Sequence, residues 1–430
     1  MSTLIVSPPS SSVIGCGCDE GYLPPSKFAE TVITGLAALN VDAKRVLVLI
    51  PDGTRTMPMP VMFDLLEQHL GPRVAALDFL VALGTHPPMS DAQLSTLTGR
   101  QVSDGRVGPR SPWKSHIWNH AWDRPESFAH LGTISAREVA SLTDGLLAQD
   151  IPVRLNRLVL DYDHILICGP VFPHEVAGFS GGVKYFFPGI AGPEIIHLSH
   201  WLGALLTSFE IIGTPETAVR RVMNRAVEFL DRPHSLIAPV VLQEGIAGVY
   251  CGPTLEAWKH AADLSAGRHI VWLERPVQRV LAIMPRMYDD LWTGAKGMYK
   301  VEPAVADGGD VVIYAPHISE VSHVHGQWIE EIGYHCRDYF VKQWDRFKDY
   351  PGGVLAHSTH VKGKGSYDAA QGVETPRIRV TLATAIPPER CHRINLGYVD
   401  PASVKLDEWA AREDWLVVPH AGEMLYRVGN

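Results

Sequence analysis

The stretch Val46–Arg55 reads VLVLIPDGTR: an unbroken apolar run, Val46–Ile50, that ends in Pro51-Asp52-Gly53-Thr54-Arg55. An all-apolar strand without alternation suits a parallel sheet covered on both faces. Ligands of such sheets sit beyond the carboxyl ends of the strands, so Pro51–Arg55 marks an edge where chemistry is expected. Upstream, Ser26 is expected to cap a helix that places Phe28, Val32, Ile33, Leu36 and Leu39 on one face. Downstream, a helix over Met59–Leu70 and a second strand over Ala75–Leu83 repeat the rhythm, and this strand ends in Gly84-Thr85-His86-Pro87-Pro88. Asp52, Arg55 and His86 thus belong to equivalent strand ends that converge on one crevice. Ser90 then opens a short helix, with Gln93 spaced for a capping box.

The same rhythm continues along the chain. Arg154–Leu160 and Asp163–Cys168 read as strands, Pro215–Leu230 and Pro253–Ala266 as helices, and Pro239–Tyr250 as one strand. It restarts after Glu274-Arg275-Pro276 with strands Val277–Met284, Val311–Ala315 and Ile378–Ala383 and an amphipathic run Gln327–Phe347. The fold class expected is α/β, with two α/β domains, 1–274 and 275–430, and the active site in the cleft between them. A chain of 430 residues is long enough for two cores.

Between the strand ending at Cys168 and a helix opened by Pro193 and Glu194 lies CGPVFPHEVAGFSGGVKYFFPGIAGPEIIHLSH, Cys168–His200. Its glycines and prolines preclude a single regular element, and a loop of this length in a compact chain is usually functional. Gly181 and Gly182 can aim backbone N–H groups at an anion, and Lys184 adds a point charge or a nucleophilic amine. The spacing is not that of a Walker A loop. His197 and His200 stand three apart on the following helix, while Leu198, Leu202 and Leu205 are set toward the core.

Composition narrows the partners. Hydrophobic residues make up 46% and the formal charge is −9, with a pI near 6.1, so there is no basic field for nucleic acid or an anionic membrane. The six cysteines are scattered without a CxxC pair, which indicates neither a disulfide framework nor a structural zinc site and fits the cytoplasm. The N-terminus lacks a basic n-region, and its Ser/Pro run at 7–12 is expected to be a mobile end. The Trp-, Pro- and His-rich residues 105–130, with His116, His120 and His130, carry no metal-site spacing and are expected to cover the crevice. Lys362-Gly363-Lys364-Gly365 reads as a flexible surface turn.

Three segments in order, IPDGTRTMP (Ile50–Pro58), ALGTHPP (Ala82–Pro88) and PHEVAGFSGGVKYFFPGIAG (Pro173–Gly192), resemble the nickel-dependent lactate racemase family. Members of that family invert C2 of a 2-hydroxy acid with a nickel-pincer nucleotide, a pyridinium mononucleotide that holds nickel through two sulfurs and a ring carbon. The resemblance implies that His86 and His174 are the acid–base pair and that Arg55 and Lys296 hold the substrate carboxylate. It further implies that Lys184 binds or tethers the cofactor, that His200 ligates nickel, and that Asp52, Thr54, Ser180, Gly181 and Gly182 surround the nucleotide. Imidazole beside soft sulfur suits square-planar nickel. In the loop Asp289–Gly297 this chain keeps Lys296 but has Thr293 where relatives have glutamine. His323 and His325 stand where relatives carry a Glu-Gly signature.

Two other readings of the same residues stay open. One is a hydrolase or lyase with a divalent metal on His174 and His200 acting on a phosphorylated substrate; the other is a non-catalytic cofactor-binding protein. The partner expected is a small-molecule 2-hydroxy acid, and oligomeric state is open.

Overall fold

A computed structural model describes residues 4–6, 12–108 and 114–429. The Ser/Pro run up to residue 11, and 109–113 of the Trp-rich stretch, lie outside the described residues. The chain folds into two compact units, each interrupted in sequence. The first takes the described residues up to Phe172, then Phe179–Ile196 and Arg220–Arg268; the second takes Pro173–Gly178, His197–Val219 and the chain from His269 on.

The first unit is built on an eight-stranded sheet in the order Leu4–Val6, Ile14–Cys18, Gly245–Pro253, His234–Leu242, His164–Cys168, Arg45–Ile50, Ala76–Val81, Ile117–Asn119. From His234–Leu242 to Ile117–Asn119 neighbouring strands are parallel. Val46–Ile50 are all fully buried, as an apolar strand covered on both faces requires; burying such side chains contributes ~1.5–3 kcal/mol each. Ile50 pairs with Val81 and Leu49 with Ile167, so three strands end level. The chain runs outward from Arg45–Ile50 to Ile117–Asn119 and then returns to the other side of Arg45–Ile50. The order therefore reverses beside Asp52, at the switch point where doubly wound sheets bind ligands.

Several local expectations are corrected. Ser26 lies inside the helix Pro25–Ala38, which starts on prolines without a side-chain cap; proline at the first helical position makes the missing donor harmless. Pro239–Tyr250 is not one strand but parts of a hairpin, His234–Leu242 against Gly245–Pro253, because Gly245 follows a two-residue turn. The Ser90–Gln93 capping box forms as expected.

The second unit carries a five-stranded, all-parallel sheet in the order Gly397–Tyr398, Arg379–Thr384, Val305–Ala315, Val277–Ile283, Trp415–Val418. The amphipathic run Gln327–Phe347 breaks into helices Gly326–Ile332, Arg337–Val341 and Trp344–Phe347, the first ending at Gly333 with φ 72°. Lys362-Gly363-Lys364-Gly365 is no free turn: Lys362 Nζ donates to Asn395 O at 2.7 Å and Lys364 Nζ lies 2.9 Å from Glu210. Among the described residues no helix is long and apolar enough to cross a membrane. All six cysteines are buried and unpaired.

Candidate functional site

At the switch point of the first unit the Asp52 carboxylate organises three neighbours. Oδ1 accepts from Thr54 N at 3.0 Å and Thr54 Oγ1 at 2.6 Å, and Oδ2 lies 2.5 Å from His86 Nδ1. Arg55 in turn donates to Thr54 Oγ1 at 2.8 Å. Burial pushes the Asp52 pKa up, but His86, Arg55 and Thr54 outweigh it and hold the carboxyl well below the usual carboxylate range. An ionised carboxylate only accepts. His86 therefore donates from Nδ1, and in its neutral form it presents a bare Nε2.

The glycine-rich turn belongs to the same unit. Gly181 and Gly182 have φ of 75° and 60°, a backbone that only glycine adopts cheaply. A Cβ on Gly182 would meet Trp258 Cδ1 at 2.8 Å. Ser180 stitches the turn: its hydroxyl accepts from Phe172 N and donates to Pro170 O, and its carbonyl accepts from Trp258 Nε1. Arg220, fully buried, donates to the carbonyls of Phe179 and Gly181 and stacks 4.1 Å over Trp258. Lys184 follows in the turn Gly182–Tyr185. A doubly left-handed glycine turn backed by a buried guanidinium, with a lysine two residues on, has the chemistry of a phosphate cradle.

Tyr185 joins the two groups. Its ring occupies the space a Cβ on Gly169 would fill, at the end of strand His164–Cys168. Burial raises its pKa far above the ordinary value, against the pull of Arg55, so it stays a neutral phenol. Of the histidines in 105–130, His120 is structural: Nε2 donates to Ala191 O and Nδ1 accepts from Asn156 Nδ2, both at 3.2 Å. Burial takes its pKa down to about 4.

The second unit holds His174, Lys296, His200 and Thr293. Lys300, fully buried, donates to Pro173 O and to Glu423 O, which anchors the segment Pro173–Gly178. His174 accepts from Val176 N at Nδ1, 3.1 Å away; in its neutral form it therefore carries its proton on Nε2. Glu175 follows. Burial pushes its carboxyl up, yet Lys296, its own backbone N–H, His360 and Lys300 outweigh this and leave its pKa lowered. Lys296 Nζ reaches Thr293 O at 3.4 Å and sits 4.6 Å from the Tyr288 ring. Thr293 folds back on the helix-capping Asp290, its hydroxyl 2.8 Å from Oδ1.

His200 is half-buried on Pro193–Leu206, as is His197, while Leu198 and Leu202 are buried. His197 Nδ1 accepts from Gly353 N at 3.4 Å, at the start of helix Gly352–Lys362. That helix carries His357 and His360, three residues apart and both buried. Among the described residues no group of three or more His, Cys, Asp or Glu side chains is arranged to hold a metal ion.

Asp52, Thr54, Arg55 and His86 are thus brought together, and Ser180, Gly181, Gly182 and Lys184 form one turn in the same unit. His174 and Lys296 both neighbour Glu175 in the other unit. Sequence reading passed over Tyr185, Glu175, Lys300, His357 and His360. Only the last two left a signal, the HSTH spacing, which matches that of His197 and His200.

An α/β protein with catalytic-type side chains at a sheet switch point defines a broad class. Residues 32–209 match the lactate racemase N-terminal domain model. The lactate racemase of Thermoanaerobacterium thermosaccharolyticum is 22% identical over 307 residues, 69% of this chain and 66% of its own length. That of Lactiplantibacillus plantarum is 23% identical over 284 residues, 63% of this chain and 59% of its own. The chain thus spans somewhat under two thirds of the curated relatives it matches. A crystal structure of a Thermotoga maritima protein aligns with TM-score 0.86 and 32% identity over 95% of this chain and 99% of that one. The lactate racemase apoprotein of T. thermosaccharolyticum aligns with TM-score 0.68 at 19% identity, over 92% and 88% of the two chains, a likeness of fold. The chain belongs to the lactate racemase family.

Proposed function

We propose that the protein is an isomerase that inverts C2 of a 2-hydroxy acid with a nickel-pincer nucleotide. The observation that carries the reading is the opposite proton placement on two neutral imidazoles: His86 presents a bare Nε2 because its Nδ1–H donates to Asp52, whereas Nε2 of His174 bears the proton because Nδ1 accepts from Val176 N. Inversion through a planar keto acid needs one group to accept the hydroxyl proton and one to return a proton to that oxygen. Histidine does both near neutral pH.

The residues present fit the cofactor. The left-handed Gly181-Gly182 turn with Arg220 behind it suits the phosphate, Lys184 the thiocarbonyl end, and the His200 imidazole a nickel held mainly by soft sulfur. When bound, that group supplies the hydride acceptor that side chains cannot. His86 Nε2 takes the C2 hydroxyl proton, and His174 Nε2–H gives a proton to the carbonyl oxygen. Arg55 and Lys296 hold the carboxylate. Asp52 keeps His86 in the basic tautomer, and Thr54 keeps Asp52 oriented.

The test is to offer enantiopure 2-hydroxy acids, deuterated at C2, to cofactor-loaded protein. Inversion with the label kept at C2 is expected. Inversion with washout to solvent would point instead to carbanion chemistry, and no inversion of any member would overturn the reading.

A further inference from the structure

The second unit contains buried polar atoms that the roles above leave unused. His357 Nε2 lies 3.0 Å from Trp292 O, and its ring stacks on Trp292 at 4.0 Å and 9°. A carbonyl only accepts, so Nε2 carries the proton. Burial, with His360, His325 and Lys296 adding to it, takes the pKa of His357 down to about 3, so the ring is neutral and Nδ1 is a bare acceptor. That Nδ1 is buried and has no hydrogen-bond partner among the described residues. One helical turn on, His360 Nε2 is in the same condition, on a ring whose pKa burial takes to about 4 against the pull of Glu175. The Tyr334 hydroxyl is a third such atom, its ring 5.7 Å from that of His357.

Buried polar groups are nearly always bonded, and each exception calls for a ligand or water. The neighbourhood specifies which. Lys296, which interacts with both Glu175 and His357, is the one assigned to the substrate carboxylate. Beside it are an ionised carboxylate, Glu175, and a bare imidazole nitrogen, both acceptors; the Tyr334 phenol, next to His357, and the second neutral imidazole, His360, which interacts with Glu175, can accept or donate. Acceptors call for donors. A methyl group, as in lactate, would leave His357 Nδ1, His360 Nε2 and the Tyr334 hydroxyl unbonded. A second carboxylate, as in malate, brings acceptors only and is repelled by Glu175. Hydroxyl groups along a carbon chain both donate and accept, which is the chemistry that these three atoms lack and that the Glu175 carboxylate tolerates.

Resting on the racemase reading above, we infer that His357, His360, Tyr334 and Glu175 form a hydroxyl-recognition subsite, and that the substrate is a polyhydroxy acid, a 2-hydroxy acid with further hydroxyl groups beyond C2. His357 and His360 are binding residues in this assignment and take no part in proton transfer at C2.

The experiment compares lactate, malate, threonate and gluconate on cofactor-loaded protein, by C2 inversion and by calorimetric binding on the same preparation. The expected result is a kcat/KM for threonate or gluconate at least about tenfold above that for lactate, since an unmade buried hydrogen bond discriminates by about that factor or more. His357→Phe, which keeps a flat ring against Trp292, should shrink that ratio about tenfold, and Glu175→Gln should shrink it too, in case the first variant misfolds. Equal or greater activity on lactate or malate overturns the inference while leaving the racemase reading standing, and means that water fills these positions. If nothing is inverted, the racemase reading fails; the subsite then stands only if gluconate binds tighter than lactate and His357→Phe removes the difference, and falls if it does not.

Discussion

His120 in the first unit and His357 in the second are both buried, at 1% and 8% exposure, and burial holds both neutral. Each donates from Nε2 to a backbone carbonyl. They differ at the other nitrogen: Asn156 serves Nδ1 of His120, and nothing described serves Nδ1 of His357. Burial and pKa therefore do not separate a structural histidine from one that awaits a ligand; the inventory of bonds does. His86 and His174 extend the comparison, because there the partner of Nδ1 decides whether the neutral ring presents a bare or a protonated Nε2.

The hardest test of this ordering is the proposed catalytic pair. His86→Gln or His174→Gln is expected to lower inversion about 10²–10⁴-fold, the usual contribution of a positioned acid or base, a loss measured per folded molecule. His120→Leu should do the reverse, losing stability while the remaining folded enzyme turns over normally. Steady-state rates beside thermal unfolding decide it, and a fully active His86→Gln would remove His86 from the chemistry.

The next effect is on acid stability. His120 and His164 have pKa values of about 4 in the fold against about 6.5 when unfolded. The folded value is the lower, so the unfolded state binds the proton first. Their stabilisation is complete above about pH 6.5 and drains away as pH falls toward 4, by up to about 3 kcal/mol each. Urea midpoints from pH 7 to 4 should fall, and His120→Gln should flatten the slope. Asp52, depressed in the fold, works lower on the scale: its contribution is present above about pH 4 and lost below it, so Asp52→Asn should leave the neutral-to-pH 4 slope alone.

Smaller effects concern support. Lys300→Met frees the carbonyls of Pro173 and Glu423 and is expected to cost about 1–3 kcal/mol, with faster proteolysis within 173–178 as the readout. Thr293→Val removes one hydroxyl bond to Asp290 and should cost about 1 kcal/mol in a denaturant titration.

The readable parts of the sequence were those whose information is local. VLVLI announced a parallel strand, and the polar residues just after two such strands, Asp52 and His86, were found at the switch point and in contact. The glycine turn before Lys184 was legible because its backbone requires glycine. Glu175 was not, since its charge state depends on Lys296 and Lys300, more than a hundred residues away. His357 and His360 were missed because Val354–Val361 are buried on every side, so the helix has no polar face whose interruption would draw notice. The hairpin after His234 was read as one strand because two apolar strands joined by Gln243-Glu244 differ from one long strand only at the turn.

The interleaving of the two units in the chain has a consequence for synthesis. Pro173–Gly178 and His197–Val219, which carry His174 and His200, leave the ribosome well before the sheet of their own unit, whose first strand begins at Val277. At about 5–20 residues per second, they wait on the order of ten seconds for the C-terminal strands. During that time the first unit can complete its sheet while these two excursions hang from it unpacked. A chain stopped after Arg268 should therefore fold its eight-stranded sheet yet be cut by protease within 173–178 and 197–219, sites that the full-length protein protects.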